Sequence, residues 1–335
     1  MDKKIVIPII ILVLVGLGIF SWLYRGALFP EKLKEEKAYK VAVVLLGGAY
    51  QEAVDGMVDE FENLGYIGGE NIFYYIKDTQ GDQGAIIPAT QELLQENPDL
   101  FYTVSTPVTT RVWKAVGTEM PIVFNIVGDP IGAGFAKSFS SSGTNLTGCS
   151  NLSAGLSGKR LEIFKEAFPL LKKVVTFYDP TNEFSQLSIV NTREAAPKLG
   201  IEVAEVHVAT IDDLNKALAA LKLGQYDGIY LTPDAMVISK VELVVERAKE
   251  LGLPVMGHEE SLAEKGVTIT YGANFYKLGV QAAPIVYKVL KGEKPQNIPI
   301  QGPRELDTVI NLRVARESGL TISPQILGKA DRVIE

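Results

Sequence analysis

Cysteine and histidine are nearly missing from this chain. Among 335 residues there is one cysteine, Cys149, and there are two histidines, His207 and His258. A lone thiol excludes a disulfide within the chain and a cysteine-based zinc site. Two imidazoles are too few for most histidine-rich metal centres. Positive charge is also short, with 33 Lys and Arg against 40 Asp and Glu, a net −7. Residues 1–37 hold six of those cations and four of the anions, so the rest, 27 against 36, is more acidic still. That balance argues against nucleic acid as a partner, because its binders carry a basic patch. Hydrolytic signatures are missing too: there is no G-x-S-x-G and no H-E-x-x-H. Gly158-Lys159-Arg160 lacks the remainder of a phosphate loop. These absences point away from an enzyme and from any resident cofactor or metal. His258-Glu259 is the acid–base pair an enzyme would have to use.

What the chain does have is one long apolar run. Ile5 to Tyr24 reads IVIPIIILVLVGLGIFSWLY. At about 1.5 Å per residue such a run covers the roughly 30 Å hydrocarbon core, and Trp22 and Tyr24 stand where interfacial anchors do. The rival reading is a cleaved signal peptide, but the run is longer than a signal's apolar region and Ser21-Trp22-Leu23 is no small-x-small site. We therefore expect residues 1–24 to form an N-terminal transmembrane anchor and 25–39 a charged tether. Lysine and arginine fall on both sides of the run, so charge alone does not orient it.

From Lys40 onward, short apolar runs alternate with amphipathic ones. Strands are expected at 40–46, 72–76, 100–104 and 121–127, each followed by a helix, the last opening at Pro130. The Ser/Gly/Thr/Asn-rich stretch 138–153 reads as a loop and crossover. A second series follows, with helices at 161–171, 186–199, 212–221 and 237–251 and strands at 174–178, 202–208, 228–231, 254–256 and 267–271. A helix at 276–290, strands at 297–300 and 308–311 and a helix at 312–318 close the chain. Alternation of this kind makes parallel, doubly wound sheets. Two such lobes in series leave a cleft between them, with expected divisions at 40–147 plus 273–302 and 148–272 plus 303–335.

In parallel sheets ligands bind outside the carboxyl ends of the strands, so the polar elbows there are the candidate site. In the first lobe these are Ala49 and Tyr50, Thr79 and Gln80, Ser105 and Thr106 before Pro107, Asn125, and Asp129 before Pro130. In the second they are Tyr178, Asn182, Phe184 and Ser185, then Thr232 and Asp234, then His258, Glu259 and Tyr271. A helix N-terminus at Ser105-Thr106-Pro107 suits a carboxylate. Asp129 and Asp234 are either helix caps or ammonium partners. Tyr50, Tyr178, Phe184 and Tyr271 could sandwich a flat side chain.

The order of these stretches resembles the extracytoplasmic substrate-binding proteins of ABC transporters, within the type I periplasmic-binding-fold subgroup that includes tryptophan- and phenylalanine-binding members. The resemblance is carried by LGYIGGENIFYYIKDTQGD (64–82), NPDLFYTVSTPVTT (97–110), PIVFNIVGDPIGAG (121–134), NLTG (145–148), LKGEKPQNIPIQ (290–301) and NLRVARESGLTISPQILGKADRVI (311–334). It departs from that pattern at Gly48-Ala49-Tyr50-Gln51 and at Thr232-Pro233-Asp234-Ala235, both at the expected site. The resemblance implies two hinged lobes on the extracytoplasmic side of the cell membrane. It also implies a monomer that captures a small ligand, an amino acid and by resemblance an aromatic one, and delivers it to ABC permease subunits. A tethered sensor working with a separate signalling partner is the alternative.

Overall fold

The computed structural model describes residues 37–335. The expected anchor and residues 25–36 of the tether lie outside the described residues. Among the described residues no helix is long and apolar enough to cross a membrane.

The described residues open with β1 (Tyr39–Leu45), whose Val41–Leu45 run is fully buried. Helix α1 (Gln51–Asn63) buries Ala53, Val54, Met57 and Phe61, the helical spacing of its apolar residues. Then come β2 (Ile72–Asp78), α2 (Ile86–Leu94), β3 (Leu100–Val104), α3 (Thr106–Val116) and β4 (Ile122–Val127). Strands β3 and β4 are buried along their whole length, as in sheets covered on both faces.

Pro130 does not open a helix. Asp129 Oδ1 instead accepts the N–H groups of Ile131 (3.1 Å) and Gly132 (2.9 Å) in a tight turn. Gly132 and Gly134, the latter at φ +74°, deny a helix its continuation. The expected loop 138–153 contains a further strand, β5 (Leu146–Ser150), parallel to β4. Its loop-like composition has a packing cause. A Cβ on Gly148 would lie 1.9 Å from the Phe124 carbonyl oxygen, so only glycine lets the two strands approach. The first sheet has the order β2-β1-β3-β4-β5, over a core that includes Val44, Phe101, Val112 and Phe124.

The second series begins with α4 (Ser157–Ala167). It ends four residues before the expected boundary because Phe168 precedes Pro169 and is pushed out of helical conformation (ψ 81°). Next are β6 (Lys173–Tyr178), α5 (Glu183–Ala195), β7 (Glu202–His207), α6 (Ile211–Ala220) and β8 (Gly228–Tyr230). Thr210 and Asp213 start α6 with a reciprocal capping box. The single helix expected at 237–251 is two, α7 (Ala235–Ile238) and α8 (Val241–Leu251). Ser239 Oγ donates to the Met236 carbonyl at the break. Then follow β9 (Val255–Gly257), α9 (Glu260–Glu264), β10 (Ile269–Gly272), α10 (Phe275–Leu290), β11 (Asp307–Asn311), α11 (Leu312–Glu317), α12 (Pro324–Leu327) and β12 (Arg332–Ile334).

The second sheet has the order β12-β11-β10-β9-β8-β6-β7. It is mixed rather than parallel throughout, since β11 returns from the first lobe and runs antiparallel to β10. Residues 297–300 form no strand. Pro295–Asn297 is a single 3-10 turn, and the segment meets β5 through the Thr147 hydroxyl, which donates to the Ile298 carbonyl (2.8 Å), and next to it through a Gln301–Cys149 bridge.

Three connections therefore join the two sheets: 151–156, 273–274 and 302–306. Helix α10 crosses α1 at two glycines. A Cβ on Gly56 would lie 2.1 Å from the Tyr276 carbonyl oxygen, and one on Gly279 would lie 2.3 Å from that of Ala53. The backbones touch where ordinary side chains would hold them apart.

Candidate ligand-binding cleft

Every strand of the first sheet ends within two residues of one with a left-handed backbone. These are Gly47 (φ +79°), Gln80 (+50°), Ser105 (+93°), Ile126 (+55°) and Leu152 (+50°). Four of the five are not glycine, and Ile126 is β-branched, which makes it a steric outlier. Such residues cost of order 1–3 kcal/mol each and gather where function demands a geometry. The strain is confined to the carboxyl end of the sheet, apart from Asn97 (φ +51°) just before β3. Ser105 is 3% exposed and its hydroxyl has no hydrogen-bond partner. It sits at the start of α3 without capping it. Thr106 Oγ1 accepts the Gly128 N–H (3.3 Å), tying the third elbow to the fourth.

Other candidates are already engaged. Asn125 accepts the Ile126 N–H (2.8 Å) and donates to the Tyr102 hydroxyl (2.6 Å), which donates to the Ala53 carbonyl (3.0 Å). Fully buried, it holds the bulge in β4 and anchors α1 instead of facing a ligand. Thr79 donates to the Leu45 carbonyl, while Gln80 is exposed and Ala49 lies in a 3-10 turn, Gly48–Tyr50.

In the second lobe Asp234 is saturated. Oδ1 accepts the N–H groups of Met236 and Val237, and Oδ2 accepts the Asp179 N–H (2.9 Å) and the Ser185 hydroxyl (2.8 Å). Four donors fill a carboxylate, so Asp234 is a tie between elbows and no ammonium partner. Ser185 is consumed by the same tie. Asn182 caps α5, and Thr232 donates to the Phe177 carbonyl. Tyr178 points away from the cleft toward the edge of the sheet. Its hydroxyl donates to Glu205 (2.7 Å), which Arg193 grips with two N–H groups, and His207 lies beside it.

The groups left for a ligand converge at the ends of β9 and β10. Arg160 on α4 is 1% exposed, and among the described residues no carboxylate lies within ion-pair distance of it. Its Nε donates to the Tyr271 carbonyl (2.7 Å), and its Nη atoms donate to the Ser153 carbonyl and hydroxyl. It thus ties the first connection between the lobes to the end of β10. Burial lowers its pKa, partly offset by Tyr230 and Glu259. His258 is buried, and burial first and Arg160 second push its pKa down to about 3. Glu259 is moved the other way, raised by burial and only partly offset by the Ser261 hydroxyl, Lys265 and Arg160. Tyr50 of the first lobe faces this group: burial, then the Glu259 charge, raise its pKa. Its ring stacks on Phe275 at 5.7 Å and 13°. Sequence reasoning missed Arg160 as a site residue. Its signal was placement on the buried face of α4, in line with Phe164 and Ala167.

Across the other side of the cleft, the Phe184 ring lies on Gly128. A Cβ built on Gly128 would come within 2.2 Å of Phe184 Cζ. The two lobes touch here, at an aromatic on one and a bare backbone on the other. Among the described residues no group of three or more His, Cys, Asp or Glu is placed to hold a metal ion.

A cleft between two α/β lobes, closed by an aromatic and floored by buried polar groups, defines a solute-binding protein of the periplasmic type. The chain belongs to the ABC transporter substrate-binding protein family, whose model matches residues 39–334. Proteins of this family bind a small ligand, work with ABC permeases and do not transform what they bind. The chain is 27% identical over 278 residues to a tyrosine-binding protein of Clostridioides difficile strain R20291, covering 83% of this chain and 79% of that one. It superposes with a TM-score of 0.70 and 27% identity on the ligand-free, open structure of a substrate-binding protein from Clostridium difficile, covering 84% of this chain and 95% of that one. It shares its fold, with a TM-score of 0.78 and 23% identity, with a domain from Streptococcus pneumoniae solved with L-Trp, covering 89% and 100%.

Proposed function

We propose that the chain captures an aromatic L-amino acid outside the cytoplasmic membrane and hands it to ABC permease subunits for import. Capture is by hinge closure. The observation that carries this reading is the Phe184 ring seated on Gly128, a contact made only when the lobes are together. The hinge is formed by residues 151–156, 273–274 and 302–306, so that 40–150 with 273–302 moves against the remainder. Closure completes the hydrogen bonds of buried groups with those of the ligand, and an analogue lacking a partner group is rejected. The open form of a relative and the tyrosine and tryptophan named for two others support both motion and ligand class. Ile5–Tyr24 is the membrane tether, and one copy suffices for capture.

Titration calorimetry of the twenty L-amino acids against the full chain tests the reading. We expect binding of tyrosine, tryptophan or phenylalanine, with a smaller radius of gyration in solution scattering once ligand is added. A folded protein that binds none of the three overturns the ligand class. Binding without contraction overturns hinge closure.

A further inference from the structure

Of the two carboxylates that the sequence offers for a ligand's ammonium, Asp234 is spent on the protein itself and Asp129 gives one oxygen to its own turn. Asp234 carries four donors, and Asp129 Oδ1 holds its own turn. Glu259 is different. Its Oε1 accepts the Ser261 hydroxyl (2.9 Å), while Oε2 lies 3.6 Å from His258 Nε2. It lies just past β9, at the carboxyl end of that strand, and its charge acts on Tyr50 of the other lobe.

The imidazole completes the argument. The nitrogen that faces a carboxylate is the one that carries the proton, which assigns it to Nε2. Nδ1 is then a lone-pair acceptor, and it is buried with no partner. A buried acceptor left empty costs about 1–3 kcal/mol, so something that arrives with the ligand must donate to it. An acceptor beside a carboxylate, with no donor between them, fits a group that has several N–H donors and a positive charge. A hydroxyl would satisfy the imidazole but leave the buried carboxylate uncompensated. The charge of Arg160 is already directed at the Tyr271 and Ser153 carbonyls, and Lys265 belongs to the outer side, where it pairs with Glu242.

We infer that His258 Nδ1 and Glu259 form the seat for the ligand's ammonium group, and that this seat makes the protein selective for amines. The inference rests on the amino acid reading above. It places the ammonium in the second lobe at the end of β9, so the ligand's remaining groups are left to the first-lobe elbows.

Calorimetry with matched pairs tests it: L-tyrosine against 3-(4-hydroxyphenyl)propionate, and L-tryptophan against 3-indolepropionate, on the wild-type full chain, Glu259→Gln and His258→Leu. The wild type should prefer the amine by at least about 100-fold. Glu259→Gln should weaken amine binding by about 30-fold or more and leave the deaminated partner within about threefold, which also shows the variant folded. His258→Leu should act in the same direction. A variant that keeps the wild-type preference overturns the seat. So does one that changes the tyrosine-to-phenylalanine ratio alone, which would place a phenol there. If the wild type binds a non-aromatic amino acid, the aromatic reading falls while the Glu259→Gln comparison still decides the seat. If it binds no amine, both fall.

Discussion

At the scale of single residues, the cleft is governed by groups that burial has moved from their ordinary protonation. His258 is held neutral, with a pKa near 3 against 6.5 for the free side chain. Between those values the unfolded chain takes up a proton that the folded chain refuses. Stability from this group is therefore intact above pH 6.5 and is lost as pH falls toward 3. Glu259, raised by burial, works in the opposite sense over its own range. We expect urea midpoints of wild type and His258→Gln to converge or cross as pH is lowered from 7 to 4, the wild type losing more. Parallel midpoints would show that His258 is not buried as neutral imidazole. Neither shift was readable from the sequence, where His258 and Glu259 were simply adjacent polar residues at an elbow. Arg160 was equally hidden. It stands in a charged heptapeptide, GKRLEIF, and only the packing of α4 shows that this one cation faces inward.

At the scale of elements, glycine decides how closely units approach. Periodicity marked α1 and α10 correctly, but not that they cross at Gly56 and Gly279. Gly279→Ala would place a methyl 2.3 Å from the Ala53 carbonyl. That carbonyl also accepts the Tyr102 hydroxyl, so the push reaches β3 and the bulge of β4. Overpacking of this kind costs roughly 1–3 kcal/mol. A thermal melt should show a lowered midpoint for Gly279→Ala, and an unchanged one would mean that α10 can slide without penalty. The same effect gives β5 its loop-like composition: Gly148 stands in mid-strand because the Phe124 carbonyl leaves no room for a Cβ there. The helix expected at Pro130 failed for a local reason, two nearby glycines and an aspartate that caps a turn.

At the scale of the whole molecule, the decisive contact is Phe184 on Gly128. In the proposed closure, a methyl at Gly128 meets the Phe184 ring and blocks the closed form while leaving the open one untouched. Gly128→Ala should bind ligand roughly 5- to 150-fold more weakly, the range that about 1–3 kcal/mol of overpacking provides. Its ligand-free melting temperature should match the wild type. Adding Phe184→Ala should restore part of the affinity by removing the clash. Scattering with ligand should show the single variant less contracted. Equal affinities for wild type and Gly128→Ala would mean that the ring does not seal the cleft.

The sequence by itself determined the class of architecture and the alternation of strand and helix, and it marked the polar elbows at the carboxyl ends of the strands. It could do so because these depend on periodicity, on apolar runs and on proline and glycine punctuation, all of which are local. Only the tertiary structure decided which elbow residues remain free. Asp234, Ser185, Asn125 and Tyr178 have the right chemistry in the right places, yet each is consumed by a partner 23 to 49 residues away. Arg160, His258 and Glu259 are left with unmet charge or hydrogen bonds because three distant segments converge on them. Hydrogen-bond capacity is finite, and which groups exhaust it depends on contacts that sequence spacing does not encode.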